Sequence, residues 1–375
     1  MIIITKTQEL IDFCKKCSAY EYVTLDTEFL RERTYYSKLC LVQMAHPGNT
    51  EDSAVLIDPL SPDLSLDPLY ELFKDPNVVK VFHAARQDLE IFFIDKKIIP
   101  FPFFDTQVAA MVCGFGEQVG YEKLVRSICN EGLDKSSRFT DWSARPLSNK
   151  QMHYAIGDVT YLREIYEFLS NKIKDNKRQA WVEEELKILM DPETYIIDPK
   201  YAWRRVKTRS SSWKMLAAIA ELAMFREKYA QQKNIPRNRV YKDDCMMELA
   251  ATRPKSLEDL TKSRLLLRDA RKGQIAEGIL NSIRQADKYK SNDVERQTPQ
   301  KEKAQGKEGL SELLRVLLKA KAEEFGVAAK LIATSADLDQ IAGGEKDLNV
   351  FKGWRNEVFG KDAIRLRDGK VALSA

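Results

Sequence analysis

From Tyr22 to Leu30 the chain alternates, with Val23, Leu25, Thr27 and Phe29 on one face of an extended segment and Asp26 and Glu28 together on the other. That pattern predicts a strand, preceded by a short helix over residues 7 to 18. Leu39 to Ala45 and Ala54 to Asp58 also read as strands, with Pro47-Gly48-Asn49 as the turn between them. Gaps this short suit an antiparallel three-strand meander. A helix from Leu66 to Phe73 stops at Asp75-Pro76-Asn77, and the apolar strand Val78 to His83 follows. The next helix carries Asp88, Leu89, Ile91 and Phe92, and Pro100 and Pro102 punctuate a short strand at Phe103-Phe104. Asp105 or Thr106 caps the helix after it. The segment 137–148 reads as a loop, and Lys150 to Leu169 as a helix. A meander followed by strand and helix in alternation predicts an α/β domain, a mixed sheet flanked by helices, over residues 1–175.

Beyond Asp175 the strand pattern stops. Residues 176–208, with Tyr195-Ile196-Ile197-Asp198-Pro199 and Trp203, read as a connector. Ser210-Ser211-Ser212 can cap a helix whose apolar stripe is Leu216, Ile219 and Ala223. Asn234-Ile235-Pro236-Arg237 makes a turn, Asp243 or Asp244 caps a helix that Pro254 ends, and Ser256 to Asp259 is a capping box for the next. These predict a small all-α bundle over residues 209–285. Residues 286–307 are charged and poor in large apolar side chains, as a linker is. Helical patterning resumes with Leu313, Leu314 and Leu317, and Trp354 and Phe359 supply aromatic core for a second bundle over 308–375. Both bundles place a short capped helix after a helix pair, the order expected of a diverged repeat.

Charge sharpens this division. Residues 1–200 hold 24 Lys and Arg against 32 Asp and Glu, a net of −8, and the remaining residues hold 36 against 24, a net of +12. An acidic front suits a cation site. A basic back is either a solvated helical surface or a grip on a polyanion. No apolar run approaches the ~18 residues of a membrane span, and Met1 to Thr5 lacks the basic start of a signal peptide, so the expected location is cytoplasmic. The six cysteines are scattered, and Cys14 and Cys17 have no second pair to complete a zinc set.

Side chains two apart on a strand lie roughly 6.6 Å apart, so Asp26 and Glu28 repel unless a positive charge lies between them. The pair is either the polar face of an edge strand or part of a site for a hard divalent cation. Asp88 follows a strand end, where open α/β sheets place ligands, yet an acid in a first helical turn is also favoured by the dipole. Tyr154 and Asp158, four apart, share one face of their helix. His83 at a strand end reads first as a partner for neighbouring backbone. With histidines only at 46, 83 and 153, a histidine-rich metal site is excluded.

Three segments in order, Leu25-Asp26-Thr27-Glu28-Phe29, His83-Ala84-Ala85-Arg86-Gln87-Asp88 and Tyr154-Ala155-Ile156-Gly157-Asp158, resemble the exonuclease motifs of the DEDD 3′ to 5′ exonucleases. With Thr140-Asp141-Trp142-Ser143 and Arg145-Pro146-Leu147 between them, the chain is most similar to the bacterial ribonuclease D family, and residues 209–285 resemble an HRDC domain. The resemblance implies a ribonuclease-H-like fold followed by two HRDC-like bundles. It also implies two Mg2+ or Mn2+ ions on Asp26, Glu28, Asp88 and Asp158. In-line attack of water on a phosphodiester builds negative charge that two cations about 3.5–4 Å apart clamp. The implied substrate is RNA with a single-stranded 3′ end, with tRNA precursors the expected class. A DNA-preferring exonuclease, or a non-catalytic nucleic-acid binder on the same fold, are the alternatives.

Phe29 can stack on a terminal base or be a core aromatic. Arg145 can pair with a phosphate or form a fork to backbone carbonyls, His83 joins them as a candidate substrate contact, and Trp142 is assigned to packing. The family divides into members with a Tyr four residues before the last Asp and members with a His five before it, and Tyr154 and His153 satisfy both spacings. At 100° per residue Tyr154 sits about 40° around the helix from Asp158 and His153 about 140°, which favours Tyr154. Gly157 departs from the alanine more usual there, and Gly inside a helix costs about 1 kcal/mol relative to Ala.

Overall fold

A computed structural model describes residues 1–48, 50–134, 136–294 and 307–371. They form two compact units, one of residues 1–28, 39–194 and 307–371, the other of 29–38 and 195–294. The expected turn at 47–49 and linker at 286–307 fall partly outside the described residues.

The sheet runs β1 (Ile2–Ile4), β4 (Ala54–Ile57), β3 (Lys38–Ala45), β2 (Tyr22–Leu30), β5 (Val79–Phe82), β6 (Phe103–Asp105). It is mixed: β3 and β4 pair antiparallel, whereas β1 with β4, β2 with β5 and β5 with β6 pair parallel. β2 is therefore interior, not an edge strand. Its alternation is driven by burial, with Val23 and Leu25 fully buried. β1 escaped the sequence reading because three isoleucines are too few to show a period. The helices are α1 (Thr7–Cys17), α2 (Asp67–Lys74), α3 (Arg86–Lys96), α4 (Thr106–Val112), α5 (Tyr121–Leu124) and α6 (Asn149–Asp175). Cys14 and Cys17 are buried thiols of α1, and burial pushes the Cys14 thiol up to about 12.

α6 presents Ala155, Val159, Leu162, Ile165, Leu169 and Ile173 as one buried stripe. Leu162 packs on Tyr22 and Val81, and Val159 on Ala45 and Ala54. Truncating Leu162 to Ala would cost about 2–5 kcal/mol. Ser148 caps the helix in a reciprocal box with Gln151, and Gln151 also donates to Thr140 Oγ1 at 3.1 Å, tying the preceding loop down.

The expected connector holds a twelve-residue helix, α7 (Gln179–Met190). Its run of three glutamates hides an apolar stripe of Trp181, Val182 and Leu186, which only a packing partner reveals. That partner is the bundle of α13 (Glu308–Phe325), α14 (Ala329–Ile332), α15 (Ser335–Gly343), α16 (Gly353–Arg355) and α17 (Lys361–Arg367). Trp181 stacks on Trp354 with centroids 4.6 Å apart, and Arg355 bridges to Glu184 at 2.8 Å. Gly114, at φ +83°, lies so close to this bundle that a Cβ would stand 2.7 Å from the Gly326 carbonyl oxygen. The second bundle is thus built into the same unit as residues 39–194.

The other unit contains α8 (Trp213–Lys233), α9 (Arg237–Val240), α10 (Asp243–Thr252), α11 (Leu257–Thr261) and α12 (Gly273–Ala286). A long helix, a four-residue helix and a medium helix follow one another in both bundles. Ser212 occupies the N-cap of α8 and Ser256 caps α11 through the expected box with Asp259. The N-cap of α10 is Lys242 rather than either aspartate, because Asp243 is drawn to Arg226 at 2.7 Å. Residues 29–38 are fastened here: Tyr35 and Tyr36 N–H groups donate to Asn234 Oδ1 at 3.1 and 3.0 Å. Among the described residues no helix is long and apolar enough to cross a membrane.

Candidate active site

β2 outruns its neighbour. Its register with β5 ends at Thr24 opposite Val81, so Asp26 and Glu28 lie past the carboxyl end of that pairing, where β5 turns into α3. Two residues before Asp26, the Thr24 hydroxyl donates to the Val159 carbonyl at 2.8 Å. That bond holds α6 with Asp158, the residue before Val159, against β2. Carboxylate oxygens of Asp26, Glu28 and Asp158 consequently lie within 4.8 Å of one another.

Asp88 is buried at 6% exposure, and the Thr27 hydroxyl donates to its Oδ1. The turn that delivers it is built by Asp105, whose carboxylate accepts the N–H groups of Ala84 (3.1 Å), Ala85 (2.8 Å), Gln107 (2.7 Å) and Val108 (3.3 Å). Asp105 therefore caps α4, as expected, and also stabilises Ala84 at φ +57°, a left-handed conformation unusual for alanine.

Burial and mutual repulsion show in the acidities. Desolvation, then the charges of Asp158, Asp88 and Glu28, hold Asp26 far above the usual carboxylate range. Desolvation, then Asp158 and Asp88, pushes Glu28 up to about 9. Burial raises Asp88 and Asp158 to about 7 each, against opposing hydrogen bonds from Thr27 and Tyr154 respectively. Asp88, although outside the close trio, is near enough to act on both β2 acids. A crowded set of carboxylates, Asp88 and Asp158 buried and Asp26 and Glu28 half-buried, that cannot all ionise unaided is chemically fitted to a hard divalent cation, whose oxygen ligands they are.

Tyr154, one helical turn before Asp158, holds that carboxyl's pKa down against burial and packs against Trp142, centroids 6.0 Å apart. Burial, then the charges of Asp158, Glu28 and Asp26, raises its phenol further, so the proton stays on the oxygen. His153 is exposed and its Nδ1 contacts the Asn149 carbonyl at 2.7 Å, away from the acids. Helix geometry separates the two as the spacing predicts.

Two expected substrate contacts are corrected. Arg145 forms a bidentate pair with Asp58, 2.6 and 2.7 Å, and donates to the carbonyls of Trp142 (2.8 Å), Ala144 (2.9 Å) and Cys40 (2.7 Å). All five of its N–H donors are engaged, leaving none for a phosphate. His83 Nδ1 contacts Thr106 Oγ1 at 2.9 Å and its ring lies 5.5 Å from Tyr121, so it is tied into the fold. Phe29 is half-buried. Trp142 is buried, consistent with packing.

Sequence reading missed the roles of Thr24 and Thr27 and the reach of the Asp105 carboxylate back to Ala84 and Ala85, because these bonds are long-range and no local pattern signals them. It also missed Arg138, an exposed side chain whose charge lowers Glu28, Asp158 and Tyr154 alike. The Gly157 carbonyl accepts from the Tyr121 hydroxyl at 3.0 Å, a bond that any residue there would make.

A family model for 3′-5′ exonucleases matches residues 1–174, and one for the HRDC domain matches residues 215–283. The ribonuclease D of Jannaschia sp. is 58% identical over 372 residues, covering 99% of this chain and 96% of that protein. The ribonuclease D of Granulibacter bethesdensis is 44% identical over 373 residues, covering 99% and 93%. Among solved structures, Escherichia coli RNase D, described as an exoribonuclease involved in structured RNA processing, superposes with a TM-score of 0.82 at 27% identity over 98% of both chains. The catalytic core of RRP6 from Trypanosoma brucei shares the fold, with a TM-score of 0.59 at 21% identity over 76% of this chain and 79% of that one.

Proposed function

Since the chain belongs to the ribonuclease D family and is a 3′ to 5′ exoribonuclease, we propose that it trims structured RNAs bearing a single-stranded 3′ tail, tRNA precursors above all, in the cytoplasm, by two-metal-ion hydrolysis. The observation that carries the mechanism is the trio of carboxylates within 4.8 Å, with Tyr154 one helical turn from Asp158 and coupled to it electrostatically. Asp26, Glu28, Asp88 and Asp158 hold two Mg2+ or Mn2+ ions. Bound there, these cations supply the positive charge that stabilises a phosphodiester under attack.

The remaining work falls to the protein. Tyr154 keeps its proton, so it orients the attacking water by hydrogen bonding and is not the base. Thr27 and Asp105 place Asp88. Arg138 adds positive charge where negative charge accumulates on the phosphoryl group. Phe29, half-buried beside Glu28 in sequence, stacks on the terminal base. In the domain plan that accompanies this reading, residues 1–175 do the chemistry, 176–208 connect, 209–285 form an HRDC domain, 286–307 link, and 308–375 form a second HRDC-like bundle. The bundles of the basic half extend the grip on RNA.

The test uses matched RNA and DNA oligomers labelled at the 5′ end, with Mg2+, Mn2+ or chelator. Stepwise shortening from the 3′ end of RNA, abolished by chelator, is expected. Loss from the 5′ end, or full activity in chelator, would refute the mechanism.

A further inference from the structure

The second unit holds a cavity of about 380 Å3, apart from the carboxylate site. Arg31, Arg205, Arg226 and Arg237 line it, against a single carboxylate, Asp243. Small-molecule cavities are mostly apolar, with a few polar groups for orientation. Four guanidinium groups around one space instead favour an anion.

Arg226 makes the case specific. It is 6% exposed, and its hydrogen bonds leave from Nη1, to the Tyr241 carbonyl at 3.1 Å and Asp243 at 2.7 Å. Its Nε finds no partner among the described residues. That Nε is sealed within the protein, but both hydrogen bonds leave from Nη1, so the guanidinium is fixed in place on the cavity wall with its Nη2 donors outside those bonds. The neighbouring groups are preset. Arg237 stands 3.6 Å from the buried Glu227 carboxylate and lies 5.7 Å from the centroid of the Tyr35 ring. Tyr35 is itself fixed by Asn234 and by its hydroxyl on Glu227. Arginines held in place in this way lose little freedom on binding, and their planar forks match phosphate oxygens.

We propose that this cavity is a phosphate-binding site. Its occupant is a backbone phosphate of the RNA or the phosphate of a released mononucleotide, groups of one recognition chemistry. The proposal deepens the reading that the basic half grips RNA and rests on it for the RNA occupant, but it does not need turnover, so binding without metal tests it apart from the exonuclease chemistry.

The experiment titrates the full chain in chelator with labelled single-stranded RNA, with inorganic phosphate and with adenosine 5′-monophosphate. Wild type is compared with Arg205→Ala, Arg205→Glu and, as a charge control outside the cavity, Arg284→Ala. Arg205 is exposed, so its replacement leaves the core intact. Each phosphate contact on a single strand contributes about 0.7 to the slope of log affinity against log salt. The expected result is RNA binding about fivefold weaker in Arg205→Ala, a slope smaller by about 0.7, a larger loss in Arg205→Glu, and competition by inorganic phosphate. Loss of phosphate and mononucleotide binding with RNA binding untouched supports the proposal with the mononucleotide as occupant. Unchanged binding of all three probes, or an equal loss in Arg284→Ala, overturns it.

Discussion

Replacing Glu28 with Gln should stabilise the metal-free protein while disabling the enzyme. The amide keeps the shape of the side chain and removes one of three charges packed within 4.8 Å. At an effective dielectric constant of about 20, two unit charges at that separation repel by about 3.5 kcal/mol. Protonation already relieves part of this, because Glu28 is pushed up to about 9. The gain near pH 8 is therefore about 1–3 kcal/mol, or about 2–6 °C in Tm for a unit of this size.

The sign follows from proton linkage. A carboxyl whose folded pKa is raised binds more protons folded than unfolded, so its contribution is fully present below about 4.5, the unfolded value, and is lost as pH rises towards 9. In chelator, wild-type Tm should fall as pH rises from 5 to 9, and Glu28→Gln should fall less, the two converging near pH 5. Mg2+ or Mn2+ should raise wild-type Tm more than the variant's. Removal of a proposed ligand should lower kcat by more than the ~100-fold typical of outer-sphere changes. Differential scanning fluorimetry across pH, beside an RNA trimming assay, checks both parts. A variant no more stable than wild type at pH 8 in chelator, with an unchanged pH slope, would refute the reasoning.

Tyr154→Phe should reduce kcat about ten- to hundredfold, the worth of a positioned hydrogen bond of 1.5–3 kcal/mol, while His153→Ala changes it little. Single-turnover kinetics with the reverse pattern would transfer the role to His153. Gly157→Ala should stabilise by about 0.5–1 kcal/mol with activity retained. A Cβ there meets only Leu133 at 3.7 Å and Tyr161 at 4.0 Å, so a lower Tm would contradict it. Arg145→Ala should destabilise by about 2–4 kcal/mol in urea unfolding, stranding Asp58 and three carbonyls, with KM for RNA unchanged in the folded fraction. A raised KM would restore Arg145 to the substrate.

The sequence by itself determined the alternation of β2, the helical face shared by Tyr154 and Asp158, and the capping of α4 and α11. These depend on periods of two and 3.6 residues and on side chains reaching backbone two or three residues away. Its motifs also carried the family. Tertiary structure alone decided that β2 is interior, that Thr24 locks α6 beside it, and that Asp105 shapes the turn delivering Asp88. It alone decided between a phosphate contact and a structural fork for Arg145, by bringing it to Asp58, 87 residues away. It also showed α7 to be a helix, since its tryptophan has meaning only against Trp354. The physical reason is common to all of these. A hydrogen bond or stacked ring between distant segments leaves no periodic trace in either, because its energy depends on where the fold brings the partner and not on the neighbours in the chain.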